Sequence, residues 1–232
     1  MFSPPRNPRV VLFAFSKGGT PHRGVQLVTR AQDPAWFDAW RQGSLRTIAE
    51  QDLGTNLEEL DACDTVNVIA SEPRGVTDLA YLEDAWALAR ELGPRVVLDA
   101  IAMRYLASPP VQVEIANEFR LVFETDALNS DRAHALHTRG MLKFGAPDLV
   151  ALCTDADAPL VGQAMRELAE DVARGSELAT PRHALEVAPG VRWVVVPDEQ
   201  GVGALLQLGN EARVIVDEHG KHLVSLGAFG SG

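Results

Sequence analysis

Apolar residues in this chain come in short runs. VVLFAF (10–15), VQLVT (25–29), TVNVIA (65–70), RVVL (95–98), RWVVV (192–196) and ARVIVD (212–217) are each bounded by glycine, proline or polar residues. Runs of this length read as strands, because a buried helix needs ten or more residues. The stretch VQVEIANEFRLVF (111–123) adds an alternation. Val111, Val113, Ile115, Phe119, Leu121 and Phe123 point one way, and Gln112, Glu114, Glu118 and Arg120 the other. That period of two predicts a half-buried antiparallel strand. After the polar loop TDALNSDR, AHALHT (133–138) returns as its antiparallel partner. GALLQL (203–208) lies close enough to 212–217 to form a hairpin across GNE, HGK (219–221) offers a further turn, and the tail GAFGSG is expected to fray.

Helical spacing is confined to three places. Asp33 before Pro34 supplies an N-cap carboxylate and a proline at the first helical position. The helix that follows carries Trp36, Phe37, Trp40, Leu45 and Ile48, with Gly43 as its weak point. A second runs from about 77 to 92 on Leu79, Leu82, Trp86 and Ala89 and stops at Gly93-Pro94; a third covers 158–174 on Leu160, Val161, Ala164, Met165, Leu168 and Val172. Strands outnumber helices, and neighbouring strands are joined by short loops. The expected class is α+β, with a mixed, mainly antiparallel sheet and two to four flanking helices. Residues 1–232 read as a single α+β domain, with 1–64 as a candidate N-terminal subdomain.

A chain of 232 residues with 46% hydrophobic content can bury a sizeable core. Its formal net charge of −11 repels phosphate backbones and anionic headgroups, so neither nucleic acid nor a membrane surface is an expected partner. Prolines and arginines precede the only apolar run near the start, and no run approaches the length of a bilayer span; neither a signal peptide nor an anchor is expected. Cys63 and Cys153 sit among small or apolar neighbours and read as buried thiols in a reducing compartment. A cytoplasmic, bacterial protein is the expectation.

Four groups of residues could carry chemistry. SKGGT (16–20) follows a strand like a phosphate-binding loop, but a proline (Pro21) removes a donor, and the terminal lysine and hydroxyl are missing; a strand-connecting turn is the expectation. His134 and His137 form one HxxH, and His219 and His222 another. The first lies in a strand, which sends the two rings to opposite faces. The second would need Asp217 or Glu218 as company, so no metal and no cofactor are assigned. Glu114, Glu118 and Glu124 lie on the polar face of one strand and read as a solvated face. The fourth group is HALHTRGMLKFGAPD (134–148). Gly140 and Gly145-Ala146-Pro147 predict a turn-rich crossing between strands, anchored by Leu136, Met141 and Phe144. His137, Thr138, Arg139 and Asp148 then brace the crossing or meet a ligand.

VVLDAIAMRYLASPPVQVEI, FRLVFETD and LHTRGMLKFGAPDLVAL together resemble a family of uncharacterised bacterial domains of unknown function. Members carry a strand ending in Asp-Pro, then a Trp-Leu-His-Thr-His-Gly segment followed by Lys-Phe-Gly-x-Pro-Asp-Leu. The chain matches at Leu136, His137, Thr138, Gly140, Lys143, Phe144, Gly145, Pro147, Asp148 and Leu149. It departs at Ala135, Arg139 and Ala100, where the family pattern has tryptophan, histidine and proline. The resemblance spans roughly 95–175 and implies a fold neighbourhood and a bacterial origin, but no reaction. It resembles accessory or immunity-like proteins more than metabolic enzymes. Two functions follow as expectations. In the first, the chain is a non-enzymatic module that docks a protein partner through an acidic or apolar surface, including exposed tryptophans such as Trp36 or Trp40. In the second, it is a hydrolase or small-ligand-binding protein whose site gathers His137, Arg139 and Asp148 beside Glu124 or Asp126. A homodimer formed by strand addition is compatible with either.

Overall fold

The computed structural model describes residues 5–125 and 134–223. Most of the loop expected at 125–132, and the tail, lie outside the described residues. By its internal contacts the chain divides into two compact units, one from Asn7–Glu114 and one from Ile115 onward together with the N-terminal segment through Arg6.

The first unit is built around β1 (Val10–Ser16), which is paired along both edges. Chain order continues with β2 (Gln26–Thr29), α1 (Pro34–Ala39), α2 (Gly43–Leu53), α3 (Leu57–Asp61), β3 (Thr65–Ser71), α4 (Ala80–Glu91), β4 (Val96–Asp99) and β5 (Arg104–Leu106). The strands lie in the order β2-β3-β1-β4-β5, every pair antiparallel. β1 and β2, from the candidate N-terminal subdomain, therefore share one sheet with β3, β4 and β5. On one face Phe13, Phe15, Val66, Val96 and Leu98 pack against Phe37, Ala49, Leu53 and Leu60 of α1–α3. The other face, with Leu12, Ala14 and Ile69, is left to α4, which packs on β1 and β3 and buries Leu82, Ala85, Trp86 and Ala89.

The helix expected after Asp33 is two helices. Asp33 accepts a hydrogen bond from the Trp36 amide at 3.0 Å, as a cap should. Gly43 then adopts φ +57°, which breaks the path between α1 and α2. Trp36 and Trp40 are not exposed docking residues. They are partly buried against the core, their rings 5.9 and 4.5 Å from that of Phe13.

The second unit contains β6 (Arg120–Glu124), β7 (His134–Arg139), β8 (Asp148–Cys153), α5 (Ala158–Ala173), β9 (His183–Ala188), β10 (Val191–Pro197), α6 (Val202–Leu205) and β11 (Ala212–Asp217). Its sheet runs β6-β7-β8-β11-β10-β9, antiparallel except for β8 and β11. The architecture is thus α+β and mainly antiparallel, carried by two sheets. α5 packs on β7 and β8, and a Cβ at its Gly162 would sit 3.3 Å from Leu121 and 3.6 Å from Leu136. Leu160, expected on the buried face of α5, is instead exposed. The Arg6 guanidinium donates to the carbonyls of Val172 and Ser176, at 2.5 and 2.7 Å, and so closes the C-terminal end of α5. Among the described residues no helix is long and apolar enough to cross a membrane.

Two expected strands are corrected. Only Arg120–Glu124 of the alternating stretch 111–123 is a strand; Val111 is 85% exposed and Ile115–Asn117 forms a 3₁₀ turn. The pairing begins at Arg120, opposite Arg139, because β7 ends there and offers no partner further back. GALLQL is not the first arm of a hairpin. The Asp198 carboxylate accepts from the amides of Val202 and Gly203 at 2.9 and 2.7 Å, which starts a helical turn, and β11 pairs with β8 and β10 instead. α6 closes with paired bonds from Gln207 to the Ala204 carbonyl and from Leu208 to the Gly203 carbonyl, with Gln207 left-handed at φ +52°. Gln207→Gly is therefore expected to raise the unfolding free energy by up to about 1 kcal/mol in urea titrations. A lower midpoint would show that the Gln207 side chain contributes more than its backbone costs.

Candidate functional site

The crossing from β7 to β8 depends on Gly140. At φ +118°, a Cβ there would lie 2.8 Å from the Glu118 carbonyl oxygen and 2.9 Å from the Phe119 Cα, so only glycine lets the two segments pass. A 3₁₀ turn follows over Met141–Phe144 and ends at left-handed Gly145. Met141, Lys143 and Phe144 are buried within it.

The β7–β8 ladder stops at His137 opposite Val150. One position on, the Thr138 hydroxyl takes the place of a backbone acceptor: the Leu149 amide donates to it at 2.8 Å. Thr138 in turn donates to Asp148 Oδ1 at 3.1 Å, and the Met141 amide donates to the same oxygen at 3.3 Å. Asn210 donates to Asp148 Oδ2 at 3.2 Å and to the Ala146 carbonyl at 2.8 Å. Asp148 is buried, and that burial pushes its carboxyl above the usual range, against the pull of Asn210, Met141 and Thr138.

His137 and Arg139 face the other residue of interest, Glu124. The His137 ring is 0% exposed, with Nε2 2.9 Å from the Glu124 carboxylate and Nδ1 3.2 Å from the Thr138 carbonyl. Arg139 donates to the Leu206 carbonyl at 3.1 Å and lies 3.8 Å from Glu124, whose side chain is 34% exposed. The four predicted residues thus form two linked sets, His137 and Arg139 with Glu124, and Thr138 with Asp148. Asp126 lies outside the described residues.

Glu118 is a correction. Expected on a solvated face, it is 2% exposed, and its carboxylate accepts from Lys143 Nζ at 2.6 Å, with Lys143 itself 0% exposed. The signal was a lysine inside the apolar turn Met141-Leu142-Lys143-Phe144. Such a position forces the ammonium to find a buried carboxylate.

The remaining candidates carry less. Gly18 N donates to the Asp64 carboxylate at 2.7 Å and Gly19 N to Thr65 Oγ1 at 2.9 Å, so amides that could have faced a phosphate are used within the chain. His134 bonds the Thr125 carbonyl and lies 3.2 Å from Asp155. His219 is exposed, while His222 bonds Gln200 at 2.9 Å. Asp217 accepts from the amides of His219 and Lys221, while the Glu218 carboxylate lies 3.6 Å from His219 Nε2. Among the described residues no three His, Cys, Asp or Glu side chains gather as a metal cluster. Cys63 and Cys153 are free and buried, and burial pushes both thiols up to about 11. Compared with known family models, curated proteins and solved structures, the chain finds no match.

Two outcomes test this description. Lys143→Met takes the ammonium away from a buried carboxylate and is expected to cost about 3–5 kcal/mol, much of which returns in the double variant with Glu118→Leu; additive losses in the double variant would contradict a coupled pair. Asp148 has a folded value raised above its unfolded one. Its stabilising protonated form is complete below the ordinary aspartate range and is lost as pH rises through the folded value. Melting temperature against pH should show that fall in the wild type and not in Asp148→Asn. Superimposable profiles would sink the assignment.

Proposed function

We propose that the chain is a non-enzymatic, cytoplasmic bacterial interaction module of the accessory or immunity-like kind. The observation that carries this reading is the use made of the LHTRG–KFGAPD block. His137 has both ring nitrogens bonded, and Thr138, Asp148 and Lys143 are buried on partners of their own unit. Residues that an active site would need to present to a substrate are instead spent on holding a strand crossing. The resemblance to uncharacterised bacterial domains supports the same reading. What the chain presents outward is charge: at −11 it favours a partner with a basic surface, because complementary potentials raise association rate and specificity.

A second reading keeps one specific observation in its favour. The Glu124 carboxylate is part-exposed and sits beside both His137 and Arg139, an arrangement that a hydrolase or a small-ligand site could use. Strand addition at the sheet ends β6 or β9 would give a homodimer, which sedimentation velocity would reveal.

The deciding experiment is affinity capture from the native host, followed by reconstitution with the purified partner. A stoichiometric complex that weakens steeply as salt rises supports the module. Absence of such a complex, together with a turnover lost in Glu124→Gln and Arg139→Ala, would replace it with the second reading.

A further inference from the structure

The first unit holds buried polar side chains that find no hydrogen-bond partner among the described residues. Asn67, in the middle of β3, is 2% exposed, and its Oδ1 has no hydrogen-bond partner; the Oγ of Ser16, at the end of β1, is also buried without one. The register places them together. Ser16 lies opposite Thr65, and Asn67 is two residues along the same strand, so all three side chains share one face. Native folds satisfy nearly all buried polar atoms, because an unmade hydrogen bond leaves the full desolvation cost standing. Two such atoms on one face of adjacent strands point to a missing partner.

The cover over this patch is the glycine-rich loop that follows β1. A Cβ at Gly19 would lie 2.7 Å from Thr65 Oγ1 and 3.7 Å from Asn67 Nδ2, so the loop backbone rests directly on the patch. It is held by bonds that solvent can reach: Gly18 N to Asp64, Gly19 N to Thr65 Oγ1, and His22 to Glu91 of α4 at 3.3 Å. Thr65 is already satisfied, since it also donates to the Ser16 carbonyl at 2.9 Å. Asp64 and Glu91 are engaged by those clips and Lys17 is exposed, so none of the three is placed to neutralise a charge buried at the patch. A charged ligand would therefore be desolvated without compensation. Asn67, whichever way its amide is turned, offers one donor and one acceptor, and Ser16 adds a hydroxyl.

We propose that Asn67 and Ser16 form a binding site for a small uncharged carboxamide, entered beneath the loop 17–24. The ligand N–H donates to Asn67 Oδ1, and its carbonyl accepts from the Asn67 amide or the Ser16 hydroxyl. This is independent of any role for the second unit.

The test uses the whole chain and acetamide, with acetate and N,N-dimethylacetamide as probes that lack neutrality or a donor. Acetamide on the order of 10 mM is expected to raise the wild-type melting temperature by roughly 4 °C. It should also shift the Asn67 side-chain amide signals in NMR, while the other two probes do neither. Asn67→Leu and Ser16→Ala should each lose most of the response, and the serine variant, the milder change, serves if the other fails to fold. No response to acetamide in the wild type, meaning ordered water only, would overturn the site. So would an equal response in the folded variant, or an equal response to all three probes.

Discussion

A carboxylate removed from water destabilises a fold unless donors replace the water, and the β7–β8 crossing is organised around that constraint at Asp148. Its donors come from three separate places: the Thr138 hydroxyl at the end of β7, the Met141 amide in the crossing, and the Asn210 amide just before β11. None of these segments can shift without unmaking a bond to a buried charge, and such bonds are about twice as strong as neutral ones. The parallel pairing of β8 with β11 begins at the same point, where the Asp148 amide donates to the Glu211 carbonyl at 2.9 Å. One residue thus sets where the antiparallel pair ends and where the parallel pair starts.

The neighbouring Glu118–Lys143 pair answers a different need. A buried ion pair seldom stabilises more than well-packed apolar groups of the same size. What it does impose is a single arrangement, since either charge left alone would be costly. Here it ties the approach to β6 to the 3₁₀ turn, across the point where Gly140 lets the Glu118 and Phe119 backbone pass at contact distance. Tight backbone approach tolerates only one register, and the ion pair penalises every other.

How far the fold was legible in the sequence follows from which forces are local. A strand such as Val10–Ser16 could be read from its apolar run because it is buried whatever its partner is. The alternation at 111–123 misled because period two reports only which side of a chain is greasy, whereas a strand also needs a neighbour, and β7 supplies one only from Arg120 onward. GALLQL misled because the Asp198 carboxylate, five residues before it, captures the amides of Val202 and Gly203 and starts a helical turn. β5 and β9 have neither a long apolar run nor a clean period and were not seen. In the site, the turn-forming glycines and the buried Met141 and Phe144 were readable from turn chemistry. The pairing of Lys143 with Glu118 was not, since it joins residues on either side of β6 and β7.

Whether a buried polar side chain is satisfied separates scaffold from site better than residue type does. His137, Thr138 and Asp148 look like catalytic residues on paper, yet each is bonded within its own unit, and their cost to the fold is already offset. Asn67 and Ser16 look like ordinary strand residues, yet each keeps a buried oxygen with no partner among the described residues. A fold selected for stability alone would place apolar side chains there, as it does at Leu12, Ala14 and Ile69 on the same face. Polar groups retained at a cost are where a function is to be sought, and satisfied ones explain why the chain holds its shape.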